Sequence, residues 1–517
     1  MSERGAFGLA DTLEPMKFGV DFGTTRTTVA LVDRGNYPLI SFISPDGDAF
    51  DHVPSVVALD DTGLLFGFEA HEAALEGGEH IRSFKRLLSD PDVTPRSTLR
   101  LGNRDFLIID VLTRFLEYVA GMVRENSSAV IDGDEPLEAV IGIPAHAWSA
   151  QRFMTLEAFK AAGWHVIEMM NEPSAAGFEY THRHASSLNA KRTRILVYDL
   201  GGGTFDASLV EAVGRDHAVL DSAGDNLLGG DDFDMVLAQV ALRNANVMPA
   251  SLSDMGWHTL IEECRVVKES LNPNSRNVVV TVGDTPISFS VKDYYEAATP
   301  LVEHTLEVLD SLLSPTENGG ERVIPENVAG LYVVGGASEF PLVSKVLRRR
   351  FGRRVHRSIH NAGSTAIGLA IAADEQAGYT VSERLARGLG VFREYDSGAS
   401  LSFDPLLTPD DRWTPGEDTL VVRRYMAAHN VGYYRFVEYR SVDEQGVPRG
   451  QVSPAGEIIM PFDPALQGED VDLKHVSIER TDIGHLIEER YRVDENGIVD
   501  VEIVDTETGY TQSARLG

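Results

Sequence analysis

The stretch YDLGGGTFDASLVE at 198–211 restricts the possible folds more than any other part of the chain. Its apolar lead-in at 195–197 reads as a strand that runs into an acid, a three-glycine turn, a threonine, a second acid and a second strand. Consecutive glycines let successive backbone N–H groups crowd around one anion, because no Cβ blocks the approach. Asp199 at the strand end suits a hydrated Mg²⁺, and Thr204 can offer a hydroxyl to a phosphate oxygen. A single glycine turn is also what an ordinary hairpin uses. The pattern returns, however, in FGVDFGTTRTTVALVD around Asp21, again strand, Asp, apolar, Gly, Thr, strand. Two such hairpins, about 180 residues apart, point to a duplicated fold whose halves face each other across one polyphosphate.

A chain of 517 residues has room for roughly two to four domains. Its 46 basic and 79 acidic residues leave a net charge of −33, which argues against a nucleic-acid backbone or an anionic membrane as main partner. A bound nucleotide must then rely on glycine amides, a few Lys and Arg side chains and a cation. Cys264 is the single cysteine, so neither a disulfide framework nor a cysteine zinc site is available, and a buried thiol is expected. Residues 1–15 read as a loose leader without the apolar core of a signal peptide, and no apolar run reaches membrane-spanning length. A cytoplasmic protein is expected.

Between the hairpins, 70–77 and 110–123 carry helical spacing, and SFKRLL puts Lys85 and Arg86 near a helix. EAVIGIP is a buried strand stopped by Pro144. A helix follows, with Ser149 as its N-cap and Gly163 as its stop. NEPSAAGFEY begins another, with Pro173 in the first turn. Further helices are expected at 258–271 and 292–313, and in STAIGLAIAADEQA. LYVVGGASEFP reads as strand and Gly-Gly turn. The last ~130 residues change to short alternating strands broken by Gly, Pro and Asp, a β-sandwich pattern. The expected division is a unit carrying the glycine hairpins at 16–377, a polar tether at 378–388 and a β-sandwich at 389–517.

Three glycine motifs in order, DFGTTRTT, DLGGGTFD and VVGGASEFP, with IGIPAHAWSAQR, NEPSAAG and GDNLLGGDDFD between them, resemble the ATPase domain of the heat-shock-protein-70 family, the DnaK-type chaperones. Single motifs also fit the wider actin and sugar-kinase superfamily, whereas NEPSAAG with GDNLLGGDDFD is narrower. RYRVDENGIVDVEIVDTETGYTQSARL resembles the end of that family's peptide-binding β-sandwich, so the likeness covers roughly 17–517. It implies an α/β fold: a duplicated actin-like ATPase domain of two lobes, followed by an all-β sandwich domain. It further implies ATP or ADP, Mg²⁺ and K⁺ as ligands, and extended polypeptide clients as partners.

The resemblance also implies roles for individual residues. Asp21, Glu172 and Asp199 would hold Mg²⁺, mostly through water, and Glu172 and Asp199 would also position the attacking water. Lys85 would stabilise the transferring phosphoryl group, and Thr204, supported by Asp206, would contact it. Gly23, Thr24, Thr25 and Arg26 of the first hairpin, with Gly201, Gly202 and Gly203 of the second, would cradle phosphates. Gly229, Gly230, Asp231, Lys268, Gly335, Gly336 and Ala337 would complete the nucleotide pocket. Pro144 and Arg152 fall where the family has its proline switch and interdomain coupling arginine.

Several positions depart from the family pattern. The two arginines that sandwich adenine become Glu269 and Glu339, and the ribose-side acid becomes Arg265; carboxylates cannot give the cation–π contact of guanidiniums. The tether VSERLARGLG is polar where the family has leucines. Glu168 stands where an arginine often meets J-domain partners, which puts J-protein and exchange-factor control in question. The sequence ends at Gly517 straight after the sandwich, so a lidless peptide site with faster client release is expected. Three functional classes follow. The first is an ATP-hydrolysing chaperone whose nucleotide state controls a lidless sandwich. The second is a nucleotide-gated regulatory module with one dedicated partner and little turnover. The third is a small-molecule kinase, which NEPSAAG and the sandwich speak against; an actin-like filament is a minor option.

Overall fold

The computed structural model describes residues 15–131, 135–315, 322–385, 387–395, 398–414, 419–468, 471–481 and 483–516. Apart from Pro15, the expected leader lies outside them.

The duplication is visible in the strand pairing. In the first lobe Lys17–Phe22 pairs antiparallel with Arg26–Leu31 and parallel with Leu137–Ile143, inside a five-stranded sheet. In the second lobe Arg194–Leu200 pairs antiparallel with Phe205–Val213 and parallel with Val328–Val334, inside a seven-stranded sheet. Asp21 stands opposite Thr28 and Asp199 opposite Asp206, so both acids leave a central strand at the same point of the same motif. Val328–Val334 is buried along its whole length and Leu137–Ile143 nearly so, as strands covered on both faces must be. Between the lobes, Ser364–Ala373 packs on Lys17–Phe22, Leu137–Ile143 and Glu172–His184, and Glu172–His184 also packs on Phe205–Val213.

Core packing fixes the first acid. Phe22, next to Asp21, has its ring 5.6 Å from that of Phe115, 6.1 Å from Phe84 and 6.4 Å from Phe159. Such pairs add about 1 kcal/mol each beyond their buried area. The strand end that carries Asp21 is therefore held against the lobe's largest apolar cluster. Tyr198 does the same for Asp199, with its ring 4.7 Å from that of Phe205 and its hydroxyl bonded to Thr305 at 2.8 Å.

The final module is a sandwich of two four-stranded sheets, one of which contains Gly388–Tyr395 and Val431–Tyr439 and the other Leu486–Val493 and Val499–Asp505. Its apolar core includes Val391, Phe436, Met460, Tyr491 and Val501. Within it Glu489, fully buried, receives both guanidinium arms of Arg393 at 2.9 and 2.6 Å and the hydroxyls of Tyr425 and Tyr491 at 2.5 Å. Four donors satisfy that carboxylate, which is what allows a charge in the core.

Two local expectations change. The polar tether expected over 378–388 is largely folded among its described residues: Thr380–Arg384 pairs parallel with 216–218 and antiparallel with Arg412–Trp413. It alternates as a strand should, with Val381 and Glu383 buried, but one inward residue is an acid, which hides the pattern in the sequence. Ser149 is not the N-cap of its helix. Trp148 holds that place without a side-chain bond, while Ser149 gives its N–H (3.1 Å) and hydroxyl (2.7 Å) to Glu438 of the sandwich. Among the described residues no helix is long and apolar enough to cross a membrane.

Candidate functional site

Between the lobes lies a cleft of about 370 Å³ whose walls are the two glycine hairpins. It brings together Asp21, Gly23, Thr24, Thr25, Arg26, Lys85, Pro144, Glu172, Asp199, Gly201, Gly202, Thr204, Gly230, Asp231, Lys268, Gly335, Gly336 and Ala337. Gly203 and Gly229 stand behind this wall. A Cβ on Gly203 would meet Thr24 and Arg86, and one on Gly229 would meet the Gly202 backbone at 2.6 Å. Arg152 lies outside the cleft, under the sandwich.

Glycine is required where the hairpins touch. A Cβ on Gly202 would sit 2.4 Å from Thr25 Cγ2, so the two phosphate turns could not face each other with a side chain there. Gly335 has φ +85°, and its Cβ would lie 2.4 Å from Asp199 Oδ1. Gly335→Ala therefore combines positive-φ backbone strain of about 1–3 kcal/mol with a steric push on the Asp199 carboxylate. Nucleotide affinity, measured by calorimetry, is expected to fall by about tenfold or more; an unchanged affinity would show that Asp199 does not need its present place.

At the closed end, four acids meet one ammonium. Lys85 is 3% exposed, donates to the Phe22 carbonyl and reaches Glu172 Oε1 at 3.3 Å. It sits on a short 3₁₀ segment, Phe84–Ser89, rather than on an α-helix. Burial pushes Asp21 up to about 7, helped by Glu172 and opposed by Lys85. Burial and the charge of Glu172 raise Asp206 to about 8, again against Lys85. Asp199 rises well above the usual carboxylate range, by burial first and then by Glu172, Asp21 and Asp206. In each case burial and the repulsion of neighbouring acids outweigh the one ammonium. A divalent cation would supply the positive charge that is lacking. No three His, Cys, Asp or Glu side chains among the described residues stand close enough to ligate a metal directly. Asp21, Glu172 and Asp199 could hold such a cation through its waters, a mode Mg²⁺ favours.

The other end of the cleft is built from ion pairs. Arg26 bridges to Glu269 at 2.6 Å, joining the lobes across the opening. Lys268 is bound to Asp234 (2.7 Å) and to the Gly230 carbonyl (2.8 Å). Arg265 serves Glu262, Asp231 and Asp234. Glu339 remains exposed there. None of these cations stands free to stack on a base.

Arg152, named above for interdomain coupling, joins this cleft to the sandwich together with Asn171, Glu383 and Asn496, whose parts in the junction the sequence did not indicate. Asn171, directly before Glu172, gives its N–H to Glu383 Oε1 (3.2 Å) and its amide nitrogen to Oε2 (2.8 Å). The buried Arg152 donates to Asn171 Oδ1 and, at 3.3 Å, to the Asn496 carbonyl of the sandwich. Asn496 Oδ1 in turn accepts the Met169 N–H at 3.1 Å. For Glu383 the sequence offered no more than an acid in a stretch read as tether. Beside it, burial pushes Glu168 up to about 7, with Glu383 and Glu495 adding to the rise. A carboxyl whose folded pKa is raised contributes stability below its ordinary value of 4.5 and loses it as pH rises through about 7. Glu168→Gln is expected to flatten the fall in Tm between pH 5.5 and 8 and to raise Tm at pH 8 by about 2–4 °C; a parallel pH profile in both proteins would refute this.

Comparison with known proteins agrees with this architecture. The family model described as Hsp70 protein matches residues 17–385. The Chaperone protein HscA homolog of Burkholderia ambifaria (strain MC40-6) is 32% identical over 381 residues, 70% of this chain and 58% of that protein. The HscA homolog of Polynucleobacter necessarius subsp. necessarius (strain STIR1) is 32% identical over 400 residues, 73% of this chain and 61% of that protein. The chain thus spans about three fifths of the length of the curated relatives it matches. With the family model covering well over half of its length, and with two lobes built on one duplicated hairpin, the chain belongs to the Hsp70 family.

Proposed function

We propose that the protein is an ATP-hydrolysing chaperone of the Hsp70 type in which the state of the nucleotide cleft sets the affinity of the β-sandwich for extended polypeptide. One observation carries this reading: Asn171, which grips the strand leading to the sandwich, is covalently adjacent to Glu172, which pairs with Lys85 in the cleft. A shift of Glu172 on hydrolysis must be felt at Asn171 and hence at Glu383 and Arg152. Coupling of only about 1–3 kcal/mol suffices for such a cycle.

Phosphoryl transfer asks a protein for position and charge more than for covalent chemistry. Glycine amides of both hairpins and the Thr24, Thr25 and Thr204 hydroxyls orient the phosphates. Lys85 is aimed at the charge that develops on the transferring group, and Glu172 and Asp199 orient the attacking water. Bound Mg²⁺ neutralises phosphate charge that the four acids would otherwise repel. On the sandwich, Phe392 and Leu401 are exposed at 47% and 73% on the same face of one strand pair, an apolar surface suited to extended chain segments.

A narrower reading, a gated module for one dedicated partner with little turnover, draws support from the base end of the cleft, where Glu269 is tied to Arg26 and Glu339 replaces a stacking cation. Single-turnover ATP hydrolysis with and without an extended apolar peptide separates the two. Acceleration by peptide that Thr204→Ala abolishes supports the chaperone. Turnover through Thr204 that ignores peptide favours the dedicated partner. Failure to bind ATP overturns both.

A further inference from the structure

Away from the nucleotide cleft, a second cavity of about 330 Å³ lies where both lobes meet the sandwich. Two arginines line it, Arg387 just after the docked strand and Arg440 on the sandwich, together with His146, Trp148 and Asn226 of the lobes. Arg387 places its guanidinium carbon 3.2 Å from the centroid of the Trp148 ring, and its buried Nε has no hydrogen-bond partner. The exposed Arg440 likewise makes no ion pair with any described residue. This is unusual in a chain with 79 acids and 46 bases, where the arginines of the nucleotide cleft are paired. His146 adds a buried Nε2 without a partner. The amide nitrogen of Asn226 is used on the His146 carbonyl at 3.2 Å, which leaves its buried Oδ1 unpartnered. The one acid in the lining, Asp225, is engaged by His304 at 3.1 Å and by the Leu227 N–H at 2.8 Å.

Burial pushes Arg387 down to about 10; the charge of Glu438, already bonded to Ser149, opposes that fall, and the nearby Arg440 adds to it. Two guanidiniums therefore face one polar space with their hydrogen-bonding edges unspent, although each repels the other. An oxyanion relieves both costs at once, and the planar fork of a guanidinium matches the oxygens of a phosphate. Asn226 Oδ1 can accept from a phosphate hydroxyl or from a hydroxyl on an attached group. The cavity falls in the range of small-molecule sites, about 300 Å³ upward, and exceeds what a bare phosphate needs.

We propose that this junction cavity is an oxyanion site that takes phosphate or a small phosphate monoester, held by Arg387 and Arg440 with His146 and Asn226 beside it. Its walls come from both lobes and the sandwich, so an occupant is bound by the docked arrangement and stabilises it by its difference in affinity between docked and undocked forms.

Trp148 reports on the site because it lies under Arg387. The full chain is titrated with inorganic phosphate and, separately, with glycerol 3-phosphate while tryptophan fluorescence is followed; Trp148→Phe assigns the signal. Expected is a saturable change whose midpoint rises at least tenfold in Arg440→Gln, is restored in part by Arg440→Lys, and is unmoved by Thr204→Ala. Arg440 is exposed, so its variants test the site without threatening the fold. Tighter binding of glycerol 3-phosphate identifies a monoester as the ligand, and equal binding identifies free phosphate. Equal midpoints in wild type and Arg440→Gln overturn the proposal. So does a signal lost only in Thr204→Ala, which would place all bound phosphate in the nucleotide cleft, or the absence of any saturable change.

Discussion

Lys85→Ala is expected to slow single-turnover ATP hydrolysis by about 10³-fold or more, while nucleotide still binds. Among the described residues nothing else at the closed end of the cleft carries positive charge toward Asp21, Glu172, Asp199 and Asp206, and the pull of Lys85 on Asp21, Asp199 and Asp206 is already too weak to offset burial. Removing the ammonium deprives the developing charge of its nearest fixed partner and frees Glu172 from its 3.3 Å contact. Binding relies on the glycine amides and threonines as well, so affinity should change far less than rate. Quenched-flow measurement with bound ATP reads the chemical step, and calorimetry reads affinity. A rate within tenfold of wild type would mean that Lys85 is a structural lysine anchored on the Phe22 carbonyl.

The second large effect is expected at the junction. Arg152→Ala should leave ATP binding intact but release the sandwich, seen as faster proteolysis near 380–388 and loss of any peptide effect on hydrolysis. Glu383 and Glu438 are buried, and Arg152 supplies positive charge to both. Stripping one partner from a buried charged network costs about 3–5 kcal/mol. That exceeds what the remaining bonds at this edge, from Ser149 to Glu438 and from Met169 to Asn496, can hold at about 1 kcal/mol each, or somewhat more for the charged acceptor. Arg152→Lys should rescue poorly, since one ammonium cannot serve Asn171 and the Asn496 carbonyl in the same geometry. Unchanged proteolysis in Arg152→Ala would show that docking rests on the paired strand alone.

The two predictions differ in how far the sequence led to them. The structure brings Asp21, Lys85, Glu172, Asp199 and Thr204 into one cleft; Asp21, Asp199 and Thr204 stood out in the sequence because the chemistry around a polyphosphate is written locally, whereas Lys85 and Glu172 came from the family resemblance. Close approach of backbone to an anion demands glycine, and the acids must sit at strand ends next to it. The duplicated hairpin, the two lobes and the sandwich followed from the same short-range signals: turn residues, strand alternation and helical spacing. At the junction the resemblance pointed to Arg152, but not to the partners it meets. Glu383 lies 212 residues from Asn171, and Asn496 lies 344 from Arg152. A buried acid is tolerated in a strand only because distant donors meet it, and no local pattern announces those donors. For the same reason Ser149 resembled a helix cap until Glu438 claimed its hydroxyl, and Thr380–Arg384 resembled a tether until a sheet edge received it. Backbone requirements are set by neighbouring residues and are readable from the chain itself. Compensation of buried charge depends on which residues the fold brings together, and that is settled only when the lobes and the sandwich close on one another.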